Sequence, residues 1–237
     1  MNNFQEASWT RTESAHSPAA AAYLTTVHMW MFLGLSVTAL FSWIVANSPT
    51  ILTAIAGNRI LYLGLLLGEL ALVWVISGAI RSLSASMATF LFILYSALNG
   101  VTLSFILLMY TGGSILMAFL SAACLFGTMT LYGYVTKRDL TSWGNLLFIG
   151  LIAVIICSVI NFFLASPMLY YVASIAGIVI FLGLTAYDTQ KILRLGSQTE
   201  HLPGEWIRKG AIVGALALYL DFINLFLYML RFVGRRD

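Results

Sequence analysis

Long apolar stretches dominate this chain, and short polar breaks separate them. Each stretch has the length, about 20 residues, that a helix needs to cross the hydrocarbon core of a bilayer. The stretches are residues 23–46, 60–80, 87–110, 114–135, 144–164, 168–189 and 211–233. The four prolines fall outside them, where a missing backbone N–H costs little. The pattern predicts an all-α polytopic membrane protein, a bundle of seven transmembrane helices.

Composition supports this class and excludes others. Hydrophobic residues make up 60% of the 237 residues and charged residues 9%, whereas soluble domains have about 45–50% and about 25%. The few basic residues are scattered through short breaks, which excludes a nucleic-acid-binding surface. The two cysteines, Cys124 and Cys157, lie inside apolar stretches. We therefore expect neither a disulfide framework nor a zinc site.

Residues 1–22 are polar and are predicted to form a cytoplasmic tail, followed by a single seven-helix transmembrane domain at 23–237. A signal peptide would run from a positive cluster directly into a short apolar stretch, so we expect no cleavage. Lysine and arginine favour the cytoplasmic side of a membrane. With the N-terminus inside, the inner side carries Arg11, Arg81, Lys137, Arg138, Lys191, Arg194, Arg208 and Lys209, and the outer side Arg59, Arg231, Arg235 and Arg236. This bias predicts a cytoplasmic N-terminus, but the C-terminal arginines oppose it, so the side of the C-terminus stays open.

Ionisable residues inside the apolar stretches are the candidates for function, because a charge near the bilayer centre costs about 2.5–3.5 kcal/mol. They are His28, Glu69, Asp188 and Asp221, with Asn99, Asn161 and Asn224 as neutral polar neighbours. Asp221 lies roughly 15 Å into the last stretch, and Asn224 follows on the same helix face. Asp188 lies near the inner end of the sixth stretch. Because these two helices are consecutive and antiparallel, their aspartates could meet in the inner half of the membrane.

Such a pair has two interpretations. Two carboxyls in a poorly solvated site share one proton and titrate in two separated steps, which makes them a candidate pH sensor. Alternatively, both are protonated or capped and serve as hydrogen-bond glue between helices. Arg81 could reach Asp188 at the same membrane level. Glu69 stands about 18 Å from Arg81 along a straight helix, so the two cannot pair directly, and for Glu69 a functional and a structural role stay equally open.

Three segments carry a family resemblance. Gly-Leu-Thr-Ala-Tyr-Asp-Thr-Gln (183–190), Leu-Tyr-Leu-Asp-Phe-Ile-Asn-Leu-Phe-Leu-Tyr-Met-Leu-Arg (218–231) and Lys-Arg-Asp-Leu (137–140) resemble signatures of the Bax inhibitor family, in a bacterial branch. The resemblance covers the chain from about residue 23. It implies a seven-helix fold whose last helix is central. It also implies a calcium leak path on which two aspartates, here Asp188 and Asp221, form a proton-sensitive gate near an arginine of the second helix, here Arg81.

We assign Asn224, Glu69 and Arg81 to the polar surroundings of this aspartate gate. The 190–210 segment, with Pro203 and Trp206, is predicted to be a loop longer than the minimal family pattern.

Two functions are compatible with these residues. The first is a pH-sensitive cation leak with no bound cofactor, in which calcium permeates and contacts Asp188 and Asp221 transiently, since carboxylates, amides and carbonyls suit a hard ion. The resemblance implies the alternative, a membrane-embedded regulator of a partner such as a membrane-anchored AAA protease. Deleting residues 2–20 separates the two, because a leak survives loss of the tail. The expected surroundings are the lipid bilayer of a bacterial inner membrane, protons and calcium, and no nucleic acid.

An enzyme is not expected. Intramembrane aspartyl proteases also use two aspartates that share a proton, but their second motif requires Gly-x-Gly before the aspartate. This chain has Leu218-Tyr219-Leu220 there, and those bulky side chains would obstruct a substrate backbone. The sequence also contains no His-Glu-x-x-His or Gly-x-Ser-x-Gly string.

Overall fold

The structure is a computed structural model and describes residues 17–199 and 202–235. Within these ranges the regular elements are α1 (Pro18–Ala46), α2 (Pro49–Ala56), α3 (Arg59–Gly78), α4 (Ala85–Leu107), α5 (Gly112–Val135), α6 (Thr141–Leu164), α7 (Pro167–Gly196) and α8 (Gly204–Val233). All except the short α2 are long and apolar enough to cross a membrane, which makes 7 spans among the described residues. The predicted all-α, seven-span fold is confirmed.

The helices around residues 190–210 extend further than predicted. α7 continues to Gly196 rather than residue 189, and α8 begins at Gly204 rather than residue 211. The predicted 190–210 loop is therefore wrong, because most of this segment is helical. Trp206 belongs to α8, and Pro203 immediately precedes that helix.

Charged residues lower the hydropathy of these helix ends without interrupting the helical backbone. In the first turns of α8, Lys209 and Glu205 form an i,i+4 ion pair at 3.2 Å, a spacing that supports a helix. The Lys209 ammonium also lies 4.8 Å from the centroid of the Trp206 ring. Hydropathy alone consequently places the end of α7 too early in the chain and the start of α8 too late.

Short-range hydrogen bonds set several helix ends. The Asn58 side chain accepts from two backbone N–H groups in the first turn of α3, both at 3.1 Å, which caps that helix. Asn161 accepts from the Ser166 N–H at 3.0 Å, where α6 ends. Ser166 in turn caps α7, which starts with a proline. Asn161 thus has a structural role rather than one in the aspartate site.

The chain divides into two compact units. Among the described residues, the first unit comprises 17–24, 112–199 and 220–235, and the second unit comprises 25–111 and 202–219. α8 contributes its first half to the second unit and its second half to the first. In its most apolar stretch 67% of α8 is buried, against at most 39% for the other spans; the central position that the resemblance implied for this helix stays a prediction.

The predicted boundaries of tail and domain stay predictions. Residues 1–16 of the tail, including Arg11, and the C-terminal Arg236 lie outside the described residues. Residues 18–22 belong to α1. The predicted cytoplasmic N-terminus is likewise a prediction.

Large apolar side chains cover the outer surfaces of both units. Phe162 and Phe163 are 82% and 80% exposed in the first unit, and Ile60 and Trp74 are 83% and 81% exposed in the second. Monomeric soluble proteins rarely expose contiguous apolar patches of large area. In a bilayer these side chains face acyl chains, while the helical backbone satisfies its own hydrogen bonds.

Candidate functional site

Asp221 is a buried carboxyl in the second half of α8. Only 4% of its surface is exposed, and its Oδ2 has no hydrogen-bond partner among the residues that the structure describes. The next residue, Phe222, makes edge-to-face contacts with Phe119 and Phe126 at centroid distances of 5.6 and 5.5 Å. Buried polar atoms are normally hydrogen-bonded. A buried carboxyl oxygen without a hydrogen-bond partner among the described residues is therefore a candidate for function.

Asp188 on α7 is half-buried and belongs to the same unit as Asp221. The two carboxyl groups lie close enough to interact electrostatically, and Lys191 acts on Asp188 from one turn further along. The neighbouring hydroxyls of Thr185 and Thr189 donate to backbone carbonyls one turn earlier, each at 2.7 Å. Their protons are therefore not available to Asp188. The two aspartates predicted as a pair thus lie in the same unit and within electrostatic range of each other, while their role as a gate stays a prediction.

Two glycines allow close contact of other helices with α7. A Cβ on Gly133 of α5 would lie 2.5 Å from the Ala186 backbone oxygen and 3.0 Å from Thr189 Cβ. A Cβ on Gly177 of α7 would lie 2.5 Å from the Tyr228 ring of α8. These contacts set the position of the α7 segment that carries Asp188 relative to α5.

The Lys-Arg-Asp-Leu segment between α5 and α6 is attached to α7 by Gln190. Gln190 Oε1 accepts from the Leu140 N–H and its Nε2 donates to the Arg138 carbonyl oxygen, both at 2.8 Å. Arg194, one turn further on, donates to Gln190 Oε1 at 2.7 Å. Two of the segments that carry the family resemblance are thus hydrogen-bonded to each other, immediately after Asp188. These roles of Gln190 and Arg194 were not predicted from the sequence, although the i,i+4 spacing of the two residues is a visible signal.

Arg194 also hydrogen-bonds Thr141 and forms an ion pair with Asp139. Asp139 lies between the membrane-spanning helices α5 and α6, with its side chain 69% exposed. Hydrogen bonds from the Thr141 side chain, from Arg194 and from the Thr141 backbone N–H lower the pKa of Asp139 to about 2. This carboxyl is therefore ionised throughout the physiological pH range.

We expect Arg194→Gln to raise the pKa of Asp139 from about 2 part of the way towards its ordinary value of about 3.9, because both Thr141 bonds remain. A lowered pKa stabilises the fold above the ordinary value, and that contribution disappears as the pH falls through the folded-state pKa. Both partners are substantially exposed, so the effect is small, about 0–1 kcal/mol. Thermal melting of both proteins in detergent should show a difference that is larger at neutral pH than in acid, where only the loss of the Arg194 bonds to Gln190 and Thr141 remains; a difference that does not change with pH would contradict this assignment.

The remaining predicted site residues lie elsewhere. Arg81 is exposed in the turn between α3 and α4, in the second unit, and its pairing with Asp188 stays a prediction. Asn224 donates to the Leu220 carbonyl oxygen of its own helix at 2.8 Å. Glu69 on α3 accepts hydrogen bonds from Asn99 and Thr102 of α4.

Comparison with known proteins gives a consistent family. The profile of the family described as "Inhibitor of apoptosis-promoting Bax1" matches residues 20–237. The chain is 46% identical over 228 residues to the inner membrane protein YbhL of Escherichia coli strain K12, covering 95% of this chain and 97% of that protein. It is 44% identical over 214 residues to an uncharacterised protein of Borreliella burgdorferi, covering 90% and 92%. It is 40% identical over 208 residues to an uncharacterised membrane protein of Streptococcus pyogenes serotype M6, covering 87% and 89%. With a profile match across nearly all the spans and relatives aligned over almost their whole length, this chain belongs to the Bax inhibitor family.

Proposed function

We propose that this protein is a proton-gated leak path for calcium in a bacterial inner membrane, with its N-terminus in the cytoplasm and with Asp188 and Asp221 as the gate. One observation supports this function above the others: the buried Oδ2 of Asp221, which has no hydrogen-bond partner within residues 17–199 and 202–235, lies within electrostatic range of a second carboxyl.

The chemistry of such a pair explains how a proton closes the path. One proton on the pair removes the repulsion between two carboxylates, so α7 and α8 stay together. Loss of that proton leaves two negative charges in a poorly solvated site, and the helices separate to admit water and cations. The same carboxylates then attract the entering ion, so opening and ion entry have one cause.

The oxygen chemistry of the site fits an ion in transit. Calcium binds 6–8 oxygen ligands when it is held firmly. Across residues 17–199 and 202–235 no group of three or more His, Cys, Asp or Glu side chains could hold a metal ion. Asp188 and Asp221 alone would contact calcium briefly, as conduction requires, because a tightly bound ion cannot leave.

The direct experiment is calcium flux measured against pH in liposomes that contain the purified protein. Flux should rise as the pair loses its proton and should be absent from protein-free liposomes. Flux that is absent at every pH, with folded and inserted protein, would overturn the proposal.

Arg81 provides a separate prediction. If Arg81 neutralises Asp188 at the mouth of the path, Arg81→Ala weakens the closed state of the gate and should raise the calcium leak at acidic pH. The matched control is Arg59→Ala, which removes an arginine from the start of α3, on the predicted outer side. An unchanged leak with normal expression would mean that Arg81 is only a cytoplasmic anchor for its helix.

A further inference from the structure

A second buried acid lies in the second unit, in a network that the aspartate gate does not use. Glu69 is only 9% exposed. Its Oε2 accepts from Asn99 Nδ2 at 3.3 Å, and its Oε1 accepts from the Thr102 hydroxyl. The Tyr219 hydroxyl donates to Asn99 Oδ1 at 3.1 Å and lies 2.6 Å from Thr38 Oγ1. Hydrogen bonds thus connect α3, α4, α8 and α1.

The structure orients the Asn99 amide with its carbonyl oxygen towards the Tyr219 hydroxyl. Because Tyr219 donates to the carbonyl oxygen of that amide, its NH₂ group is directed at Glu69. Tyr219 is fully buried, with its ring 5.6 Å from that of Tyr95, so it cannot easily move away. Both oxygens of Glu69 therefore receive a donor, which is the arrangement that an ionised carboxylate requires.

The same groups can also accommodate a protonated Glu69. The Thr102 hydroxyl has a second acceptor, the Leu98 carbonyl oxygen of its own helix, at 3.3 Å. When Glu69 carries a proton on Oε1, Thr102 can turn its own hydrogen to Leu98 and accept from Glu69. Oε2 still accepts from Asn99. No buried group loses its partner in either state, so the proton can bind and leave without an orphaned polar atom.

Glu69 also holds α3 against α4. The buried residues of α3 are Glu69 and Ile76, and Tyr62 packs edge-to-face on Phe105 of α4 at 5.9 Å. Residues 62, 69 and 76 are seven apart and share one helix face. Glu69 is therefore the polar residue in the middle of this face, with the aromatic Tyr62 before it and the aliphatic Ile76 after it.

We propose that Glu69 is a second proton-binding site of this protein, and that its ionised form holds α3 against α4 while proton binding loosens that contact. Hydrogen bonds to a charged carboxylate are roughly twice as strong as those to a neutral carboxyl. Among the described residues, the titratable side chains that interact with Glu69 are Tyr95 of α4 and Tyr219 of α8, and both contribute hydroxyl groups rather than a compensating positive charge. This site acts on the spacing of two helices and does not depend on whether the protein conducts calcium.

Pulsed electron paramagnetic resonance tests the proposal without any flux measurement. Spin labels replace Leu67 on α3 and Phe90 on α4, which are 65% and 61% exposed, with Cys124→Ser and Cys157→Ser to remove the native thiols. At about pH 8 the distance distribution should be narrow, and at about pH 5 it should be broader. Both pH values lie above the ordinary glutamate pKa of about 4.3, so solvent-exposed glutamates remain ionised at both. Glu69→Gln should give the broad distribution at both values, because glutamine is neutral throughout.

Asp221→Asn in the same labelled protein should keep the wild-type response, which separates this site from the aspartate pair. A distribution that ignores pH in the wild type, or that responds equally in Glu69→Gln, would overturn the proposal. If Glu69→Gln does not fold, infrared spectra of the wild type labelled with ¹³C-glutamate decide the matter. A protonated-glutamate band must then appear above about pH 5, where solvent-exposed glutamates remain ionised, and its absence would overturn the proposal equally.

Discussion

Asp221→Asn is expected to remove most of the pH dependence of calcium flux between about pH 5 and pH 8, the interval in which a coupled carboxyl pair exchanges its proton. Asparagine keeps the size of the side chain and can donate a hydrogen bond, but it does not titrate. Two unit charges about 4 Å apart repel by about 4 kcal/mol at an effective dielectric constant near 20. That energy changes a two-state equilibrium about a thousandfold, so removing one charge leaves the path with nothing to drive its opening.

Asp139→Asn is the matched control for this result. The substitution is chemically the same, but the pKa of Asp139 is about 2, so this carboxyl does not change its charge over the tested interval. Its flux profile should keep the wild-type shape. Asp188→Asn should resemble Asp221→Asn, and the double variant should add little, because two groups that act as one unit are not additive. If Asp221→Asn inserts normally and keeps the wild-type profile, Asp221 is structural.

The seven spans and the aspartate pair were predictable for different reasons. Each span is an uninterrupted apolar stretch, so its length alone identifies it. Asp188 and Asp221 attract attention because charge is scarce in the chain, at 9% of residues, and costly inside a membrane. Two consecutive antiparallel helices allow the carboxyls to meet, but the sequence alone does not show that they do.

The surroundings of the acidic residues were less predictable. Glu69 is bound by Thr102 and Asn99, which lie 33 and 30 positions further along the chain. A threonine hydroxyl in an apolar helix usually bonds its own backbone, as Thr89 does with the Ala85 carbonyl oxygen, so nothing in the sequence distinguishes Thr102. The C-terminal end of α7 and the start of α8 were not predicted, because charged residues there lower the hydropathy although they continue the helix.

Gly133→Ala is expected to cause the largest loss of stability among small substitutions in the first unit. The new Cβ would lie 2.5 Å from the Ala186 backbone oxygen, and a backbone atom cannot turn aside as a side chain can. α5 and α7 would have to separate, at a cost of about 1–3 kcal/mol typical of overpacking. The separation would also displace the α7 segment that carries Asp188, so the variant should have an altered pH profile of calcium flux.

Gly127→Ala is the control on the same helix, because a Cβ at Gly127 has no heavy atom of another element within 4 Å. Alanine in a helix interior is more favourable than glycine by roughly 0.5–1 kcal/mol, so this variant should melt at or slightly above the wild-type temperature. Thermal melting in detergent, monitored by size-exclusion chromatography, gives the melting temperatures of both variants under the same condition. Because the two substitutions have the same intrinsic helix propensity, their difference isolates the contact with α7. Equal melting temperatures for the two variants would mean that α5 and α7 do not require this close approach.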